Sequence, residues 1–405
     1  MIMPKNTDNL KCRFAVVKVA SRCNLNCTYC YVYNQGDNTY LTQPKVMSSE
    51  VVESLIHRIK EHCLEHDIKT FTFIIHGGEP LLAPKSFYEN LVATSNQILE
   101  GTGIRLRFTM QTNGVLLSKE WCELFNRLKI SIGISIDGPE LYNDMYRIYH
   151  SGKGSYHDIV KGIKLANEYS SVPVGVLSVI NIDIEPEMLY DMYLSLNISS
   201  VDILLSDGNY ENIPEKLALD LENNTTLHAD WMIKIFDLWF NDTTNNLKIG
   251  YFERIMLSVL GYDVSADSMG NKNTDVLVIE TNGDIESLDV LKICGDGFTK
   301  GDANVKITSF DDALQTPLAK TYQLSHKNLS PQCEKCDVKE ICGGGYLPHR
   351  FSHDKSFDNP SIYCSNLMKL IVHIQNSIIS NLPEEVIRDT MITKLDYGKQ
   401  TESIS

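Results

Sequence analysis

Hydrophobic and polar positions along the first two hundred residues fall into two alternating patterns. Short runs rich in β-branched and aromatic residues alternate with longer segments whose apolar positions recur at helical spacing. The predicted strands cover residues 13–20, 69–75, 105–111, 130–136, 172–180 and 201–205, and the predicted helices cover 48–66, 84–97, 118–127, 156–169 and 185–197. This alternation predicts a parallel sheet with right-handed crossovers. Six such units are fewer than the eight of a complete barrel, so we expect an α/β fold with a partial, TIM-like (β/α)6 barrel.

The pattern changes after residue 208. Residues 209–262 are mostly helical in pattern, and residues 276–280 and 284–287 flank an Asn-Gly pair that predicts a β-hairpin. A cysteine-rich loop region and a predicted closing helix over 361–380 follow. We therefore expect five parts: an N-terminal tail, a barrel domain, a helical bridge, a small α+β domain and a polar, frayed C-terminal tail. Their predicted bounds are 1–10, 11–208, 209–274, 275–380 and 381–405.

Composition and charge narrow the class of protein. Of the 405 residues, 43% are hydrophobic and 22% are charged, as in globular proteins with a sizeable core. The formal net charge of −15 argues against nucleic acid or an anionic membrane as the main partner. The first eleven residues lack the apolar region of a signal peptide, and no apolar run reaches the length of a membrane span. We therefore expect a cytoplasmic protein, whose eleven cysteines serve a purpose other than structural disulfides.

A first cysteine cluster follows the first predicted strand directly. Cys23, Cys27 and Cys30 lie in one loop with the spacing CX3CX2C. Three thiolates can hold three irons of a [4Fe–4S] cluster and leave the fourth iron open to a small molecule. A structural zinc site is the alternative, but it requires a fourth ligand, and none lies nearby in the sequence. We therefore favour an iron–sulfur cluster in this loop.

A second cysteine cluster lies in the C-terminal region. Cys333, Cys336 and Cys342 are closely spaced, and Cys364 follows further along the chain. Four cysteines can saturate either a zinc ion or a [4Fe–4S] cluster, and the chemistry alone favours zinc. The remaining cysteines outside this region are predicted to be buried as small hydrophobic residues.

Three further stretches with unusual residues follow other predicted strands. They are residues 77–80 (Gly-Gly-Glu-Pro), 111–114 (Gln-Thr-Asn-Gly) and 135–138 (Ser-Ile-Asp-Gly). Because the carboxyl ends of parallel strands meet at one mouth, we expect these stretches to converge on the first cysteine loop. His76 lies at the same mouth, where a structural role is the alternative to a functional one.

The CX3CX2C loop, with an aromatic residue before its last cysteine, resembles that of the radical S-adenosylmethionine (SAM) superfamily. The resemblance implies that the open iron binds the amino and carboxylate groups of SAM and that reductive cleavage gives a 5′-deoxyadenosyl radical. Ser135 and Arg147 match positions that bind the ribose and the carboxylate, although a surface ion pair is the alternative for Arg147. Gln111 and His76 are candidate catalytic residues. The implied cofactor-binding residues are Tyr29, Gly77, Gly78, Glu79, Ser135 and Arg147.

The second cysteine cluster resembles the auxiliary-cluster segment of SPASM domains, the C-terminal extensions of radical SAM peptide-modifying enzymes. Sulfatase-maturase-type SPASM domains carry two auxiliary clusters, with cysteines where this chain has Leu288 and Tyr346. The resemblance therefore implies one auxiliary cluster instead of two, and it leaves Cys294 without ligand partners. The implied ligands of the single auxiliary [4Fe–4S] cluster are Cys333, Cys336, Cys342 and Cys364.

Two longer segments, residues 279–292 and 342–364, resemble FxsB-type radical SAM/SPASM maturases, relatives of enzymes that form cyclophanes in ribosomally made peptides. The resemblance implies hydrogen abstraction from a side chain of a precursor peptide, followed by a carbon–carbon, cyclophane-type crosslink. It also implies a reductant such as flavodoxin or ferredoxin. Asp289 matches the position of a proposed general base, and a structural role in a turn is the alternative.

Two other functions stay open from the sequence. One is sulfatase-maturase-like oxidation of serine or cysteine to formylglycine, against which the loss of two auxiliary ligands argues. The other is a non-catalytic iron–sulfur or zinc-binding protein. Glu79, Ser135 and Arg147 argue against it, because such a protein has no use for a SAM site. The sequence identifies neither the precursor peptide, the modified residues, the leader-peptide site nor the oligomeric state.

Overall fold

The chain folds around one mixed sheet of nine strands in a computed structural model, which describes residues 10–244, 246–390 and 392–404. The order across the sheet is β7-β6-β5-β4-β3-β2-β1-β8-β9, and every neighbouring pair is parallel except β8 and β9. The predicted parallel α/β fold is confirmed. The strands are β1 Phe14–Ala20, β2 Thr70–Gly77, β3 Arg105–Thr112, β4 Ile130–Ser135, β5 Gly175–Val179, β6 Ser200–Leu204, β7 Lys248–Ile249, β8 Val276–Ile279 and β9 Ile285–Glu286.

The helices of the first half connect successive strands of this sheet. Two of them begin at serine caps, because the Ser48 and Ser118 side chains accept hydrogen bonds from the amides of Val51 and Trp121. These helices are α1 Ser49–Glu65, α2 Lys85–Leu99, α3 Lys119–Leu128, α4 Glu140–Tyr146, α5 Tyr156–Tyr169 and α6 Pro186–Ser195. Helix α4 and strand β7 are additions to the predicted set, since both are too short to show a hydrophobic period.

The C-terminal half is built from a helical layer and short helices around loops. Its helices are α7 Glu215–Asn223, α8 Leu227–Asn241, α9 Gly250–Val259, α10 Phe310–Leu314, α11 Pro317–Gln323, α12 Pro331–Glu334, α13 Lys339–Cys342, α14 Cys364–Asn381, α15 Glu384–Thr390 and α16 Tyr397–Ile404. Short 3-10 turns cover Thr39–Thr42, Pro80–Leu82, Asp289–Cys294 and Leu347–Arg350. None of the helices in the described residues is long and apolar enough to span a membrane.

The predicted β-hairpin is present as β8 and β9, and it extends the barrel sheet. Strand β8 pairs in parallel with β1, from Phe14 opposite Val276 to Val17 opposite Ile279. Strand β1 is therefore an inner strand, with β2 on its other side. The domain boundary predicted at residue 275 thus assigns β1 and β8, two neighbouring strands of one sheet, to different domains.

The prediction of a frayed C-terminal tail was wrong for its described residues. Helices α15 and α16 form there, and Asn376 of α14 both donates to the Leu395 carbonyl and accepts from the Leu395 amide. Gln400 donates to Asp337 at 2.9 Å. The polar composition of the segment misled because a few amide contacts, together with Leu395 and Tyr397 packed against the core, hold it in place. The predicted N-terminal tail lies outside the described residues, apart from Leu10.

Candidate functional site

The first cysteine loop leaves β1 and is fixed by backbone hydrogen bonds to the segment that ends α4. The amides of Asn26 and Thr28 donate to the carbonyls of Ile148 and Tyr146 at 2.7 and 3.0 Å. The three thiols line one cavity together with Gly77, Gly78 and Asn113. Burial raises the pKa of Cys23 to about 12 and that of Cys30 to about 11. Metal ligation needs thiolates, so a cluster that binds here displaces protons.

Gly77 and Gly78 allow the end of β2 to pack against the cysteine loop. Gly77 has φ +138°, and a Cβ atom there would collide with the Ala20 carbonyl oxygen. A Cβ atom on Gly78 would collide with the Tyr33 hydroxyl and the Arg22 carbonyl. The glycine pair therefore brings two strand ends together, which places the cysteine loop beside the other predicted motif residues.

Glu79 is fully buried and joins two strand-end motifs. Its carboxylate accepts hydrogen bonds from the Leu81 amide at 2.9 Å, the Thr112 hydroxyl at 2.7 Å and the Asn113 amide at 2.8 Å. These bonds act against the effect of burial, which raises the pKa of Glu79 overall. A carboxylate has about four acceptor positions, and three are used here. The Glu79 side chain has no exposed surface and does not line the cavities beside the cysteine loop, so an ammonium ligand reaches its fourth position only if the strand ends move.

Arg147 lies at the centre of a buried polar group beside the cysteine loop. Its Nη1 donates to the Tyr29 hydroxyl at 2.8 Å, and that hydroxyl donates to Asp137. Asp137 is held in turn by the Val179 amide at 3.1 Å. The Arg147 Nε is buried and has no hydrogen-bond partner among the described residues. A buried guanidinium with an unsatisfied donor fits a carboxylate ligand, because such a donor otherwise costs stability.

Gln111 and Ser135 lie side by side at the ends of β3 and β4. The Gln111 Nε2 donates to the Ser135 hydroxyl at 2.8 Å, and both residues line the cavity that holds the cysteine loop. The predicted convergence of the strand-end motifs is therefore present in the fold. Asp137 and Thr112, which pair with predicted site residues, belong to the same motifs but carry no distinctive pattern of their own.

Asp289 is part of an ionic group and does not line the cavity wall. It starts a 3-10 turn, yet its side chain caps nothing and instead contacts the Tyr31 hydroxyl at 2.7 Å and the Lys18 ammonium at 3.1 Å. Lys18 lowers the pKa of Asp289 to about 2, against the effect of burial. Tyr31 and His76 line the cavity beside this pair, and burial lowers the pKa of His76 so that its ring is neutral at pH 7. Sequence reasoning missed Tyr31, although it follows Cys30 directly.

The four C-terminal cysteines come together around a separate small cavity. Cys333, Cys336, Cys342 and Cys364 all line it. The three glycines after Cys342 have φ values of +62°, +81° and +73°, which favour glycine, and Arg350 donates to the carbonyls of Ser325, Asn328, Phe357 and Asn359 in the surrounding loops. A donor set of four thiols without a free position suits a closed cluster or a zinc ion.

Leu288, Cys294 and Tyr346 lie in a second, smaller hydrophobic cluster. Leu288 and Cys294 are 5% and 6% exposed and pack with Leu291. Tyr346 packs against this cluster and also reaches the main cavity. Cys294 is not among the residues that line the four-cysteine cavity.

A third group of possible metal ligands is formed by His62, His66 and Asp311. The Cys12 amide donates to the His62 Nε2 at 3.1 Å, so the ring proton lies on Nδ1, toward Asp311 at 3.2 Å. A ligating imidazole has the opposite arrangement, with its outer nitrogen donating to an acceptor. The group is therefore a hydrogen-bond contact between α1 and α10.

The class of this protein follows from comparison with known proteins. Residues 17–193, which include the first cysteine loop and the strand-end motifs, match the sequence model of the radical SAM superfamily. This part of the chain is a radical SAM core, and the protein is an enzyme.

Several relatives align along most of the chain. It is 24% identical over 351 residues to a cysteine-type anaerobic sulfatase-maturating enzyme of Clostridium novyi, which covers 86% of this chain and 91% of that enzyme. It is 28% identical over 357 residues to a serine-type anaerobic sulfatase-maturating enzyme of Bacteroides thetaiotaomicron, which covers 84% and 83%. The chain is thus similar to sulfatase-maturating enzymes of both types.

Solved structures share the fold. Native anSMEcpe with bound AdoMet superposes with a TM-score of 0.75 at 22% identity and covers 91% of this chain and 100% of that one. SuiB of Streptococcus suis bound to its precursor peptide SuiA superposes with a TM-score of 0.56 at 17% identity and covers 88% and 76%.

Proposed function

We propose that the protein is a radical SAM enzyme that oxidises a side chain of a peptide or protein substrate. Formylglycine-type oxidation of serine or cysteine is the leading candidate reaction. The observation that carries the proposal is one cavity of about 310 Å³, in which Cys30, Arg147 and Tyr31 face the same space. The similarity to cysteine-type and serine-type sulfatase-maturating enzymes supports this reaction above the crosslink expected from the sequence. The precursor peptide bound to SuiB supports a peptide substrate.

The cofactors of this proposal are SAM and a [4Fe–4S] cluster on Cys23, Cys27 and Cys30. When bound and reduced, they supply a 5′-deoxyadenosyl radical that removes one hydrogen atom from a substrate side chain. Arg147, with its unsatisfied Nε, binds the carboxylate of SAM, and the remaining acceptor position of Glu79 binds its amino group once the strand ends move. The glycine pair and Tyr29 form the surrounding wall.

In this proposal, Tyr31 and Asp289 assist the release of the proton that the oxidation of the substrate radical produces. A substrate radical that is oxidised to an aldehyde releases a proton, and Tyr31 is the hydroxyl at the cavity wall that donates to Asp289. Asp289 keeps its charge because Lys18 lowers its pKa to about 2. It therefore stays ionised and orients the Tyr31 hydroxyl, whose oxygen can accept a hydrogen bond from the substrate while the proton is released to solvent.

The remaining electron must leave the substrate. Cys333, Cys336, Cys342 and Cys364 would hold an auxiliary [4Fe–4S] cluster, which would supply an electron acceptor, and a flavodoxin or ferredoxin is the proposed external reductant. The substrate is proposed to bind in the main cavity, which shares no lining residue with the four-cysteine cavity.

A cyclophane-type crosslink in a ribosomally made peptide is the second candidate. Leu288 and Tyr346 favour it, since hydrophobic packing occupies both positions where the sulfatase-maturase pattern has cysteines. Both candidates share the same first step and the same cofactors, so the difference lies only in the fate of the substrate radical.

The experiment is incubation of the reconstituted, reduced enzyme with SAM and serine- or cysteine-containing peptides, with 5′-deoxyadenosine and peptide mass as readouts. Serine oxidation and crosslinking both remove two hydrogen atoms, but only the aldehyde reacts with a hydrazide probe. We expect 5′-deoxyadenosine together with a hydrazide-reactive product. A product that lacks two hydrogens and does not react favours the crosslink, and the absence of 5′-deoxyadenosine contradicts both candidates.

Replacement of Asp289 by asparagine tests the proton step. We expect product formation to slow by about 100-fold, because the Tyr31 hydroxyl loses its anionic acceptor. Formation of 5′-deoxyadenosine should continue, so the ratio of 5′-deoxyadenosine to product rises. The exposed Asp302→Asn variant is the matched control. An unchanged ratio in Asp289→Asn would assign this residue a purely structural role.

A further inference from the structure

The cavity beyond the cysteine loop carries an excess of acidic side chains. Away from the Arg147 group, its walls hold Asp202, Asp207 and Asp267, and Arg254 is the one arginine or lysine there among the described residues. Arg254 is bound to Asp202 at 2.6 Å, so this pair is neutral. Asp207 and Asp267 form no ion pair within the described residues, and Arg254 acts on Asp267 only through its charge at longer range.

Asp207 and Asp267 are close enough to influence each other. Burial raises the pKa of Asp207 to about 7, and the charges of Asp289 and Asp267 contribute in the same direction. Asp267 is exposed and lines the cavity; desolvation by the surrounding protein raises its pKa, while Arg254 and the backbone amides of Asp267 and Ser268 lower it. Neither aspartate forms an ion pair or a hydrogen bond with another side chain within the described residues. Two carboxyl groups that repel each other are stabilised when a cation lies between them.

A second polar group faces the same space without a partner. Tyr251 is 2% exposed, and its buried hydroxyl has no hydrogen-bond partner among the described residues. Its side chain lines the cavity together with both aspartates. Buried hydroxyls are normally hydrogen-bonded, so an orphaned one that lines a cavity indicates a missing ligand.

The cavity, part of which is proposed to hold SAM, opens into a second one. Its volume of about 310 Å³ continues past Asp207 into an outer groove of about 460 Å³, with which it shares Tyr29, Asp137 and Val179. The groove is lined by Ile213, Glu215 and Lys216 at the start of α7. A peptide segment in the groove could therefore extend one long side chain inward past Asp207.

We infer that Asp207, Asp267 and Tyr251 bind the lysine or arginine side chain of a peptide substrate, and so select peptides with a basic residue near the modified position. This inference rests on the proposed peptide substrate and names its chemistry. Ammonium and guanidinium groups donate strong hydrogen bonds to carboxylates and to a phenol oxygen. These three residues line the same cavity as Arg147, but none of them is proposed to bind SAM.

The test is selection from a synthetic peptide library by binding, which does not depend on turnover. The peptides are acetylated and amidated, carry a central serine, and vary at the flanking positions among lysine, arginine, glutamine, glutamate and norleucine. Immobilised holoenzyme with SAM is mixed with the library, and bound peptides are quantified by mass spectrometry. We expect lysine and arginine peptides to be enriched about 10-fold over their norleucine counterparts, the size of one charged hydrogen bond.

Two substitutions test whether the aspartates cause the enrichment of basic peptides, and two others serve as controls. Asp207→Asn and Asp267→Asn should each lose most of the enrichment, while Asp267→Glu and the exposed Asp302→Asn should keep it. Equal binding of lysine and norleucine peptides to the wild-type enzyme overturns the inference even if a variant fails to fold. Retained enrichment in both asparagine variants also overturns it. Failure of the proposed function has a different signature, namely selective binding of basic peptides without 5′-deoxyadenosine or product.

Discussion

The Cys27→Ala variant is expected to form no detectable 5′-deoxyadenosine. Cys27 is one of three thiols that line the cavity after β1, and two thiols cannot hold three irons of a cluster. The iron content of the reconstituted enzyme should fall from about eight to about four per chain, because the second cluster has its own four cysteines. Iron analysis and chromatography of the reaction mixture measure both quantities.

The matched control is Cys122→Ala. Cys122 is fully buried in α3 and lies away from both cysteine cavities, so its loss should leave the iron content and the 5′-deoxyadenosine yield unchanged. A Cys27→Ala enzyme that retained its iron would contradict the assignment of the first loop. An iron content near twelve in the wild-type enzyme would contradict the expected absence of a second auxiliary cluster.

The Lys18→Met variant is expected to lose about 3–5 kcal/mol of unfolding free energy, the usual effect of removing one member of a buried ion pair. Lys18 is 3% exposed and contacts Glu280 at 2.9 Å and Asp289 at 3.1 Å. Its removal leaves two buried carboxylates with Lys292 and Tyr31 as their remaining contacts. Denaturant unfolding at pH 7 measures the change, with Lys69→Met, which removes an exposed ion pair, as the control with an unchanged midpoint.

The same variant should alter the pH dependence of stability. The pKa of Asp289 is lowered to about 2 in the folded protein and lies near 3.9 in an unfolded chain. A lowered carboxyl pKa stabilises the fold above about pH 4, and this stabilisation is lost as the pH falls toward 2. Because Lys18 is the main cause of the shift, Lys18→Met should be less sensitive to pH across this range. Equal slopes of stability against pH would contradict the assignment of Lys18.

The motif residues could be located from the sequence because each lies at the end of a predicted strand. A parallel sheet brings the carboxyl ends of β1 to β4 to one edge, and strand order alone places Cys23, Glu79, Gln111 and Ser135 there. The serine caps of α1 and α3 were equally local signals. These features depend on residues a few positions apart, so they can be predicted without knowledge of the tertiary contacts.

The roles of several residues could not be read in this way. Asp289 was a candidate base at the cavity, but the fold puts the Tyr31 hydroxyl at the wall and pairs Asp289 with Lys18 behind it. The glycine pair was expected to approach SAM, and its tightest contacts are with the residues that start the cysteine loop. Asp207 and Asp267 lie in segments that match no motif, so only the cavity that they share identifies them as candidate site residues.

The sequence by itself determined the alternating α/β architecture, the two cysteine groups and the strand-end motifs, because hydrophobic period and residue spacing are local properties. The tertiary structure alone decided which charges pair and which stay free. Lys18 lies more than 260 residues from Asp289, and their contact exists only because β8 joins the sheet beside β1. The same pairing of distant segments leaves Asp207 and Asp267 without an ion pair in the described part of the chain, since Lys18, Arg147 and Arg254 pair with other carboxylates and Arg254 acts on Asp267 only at longer range.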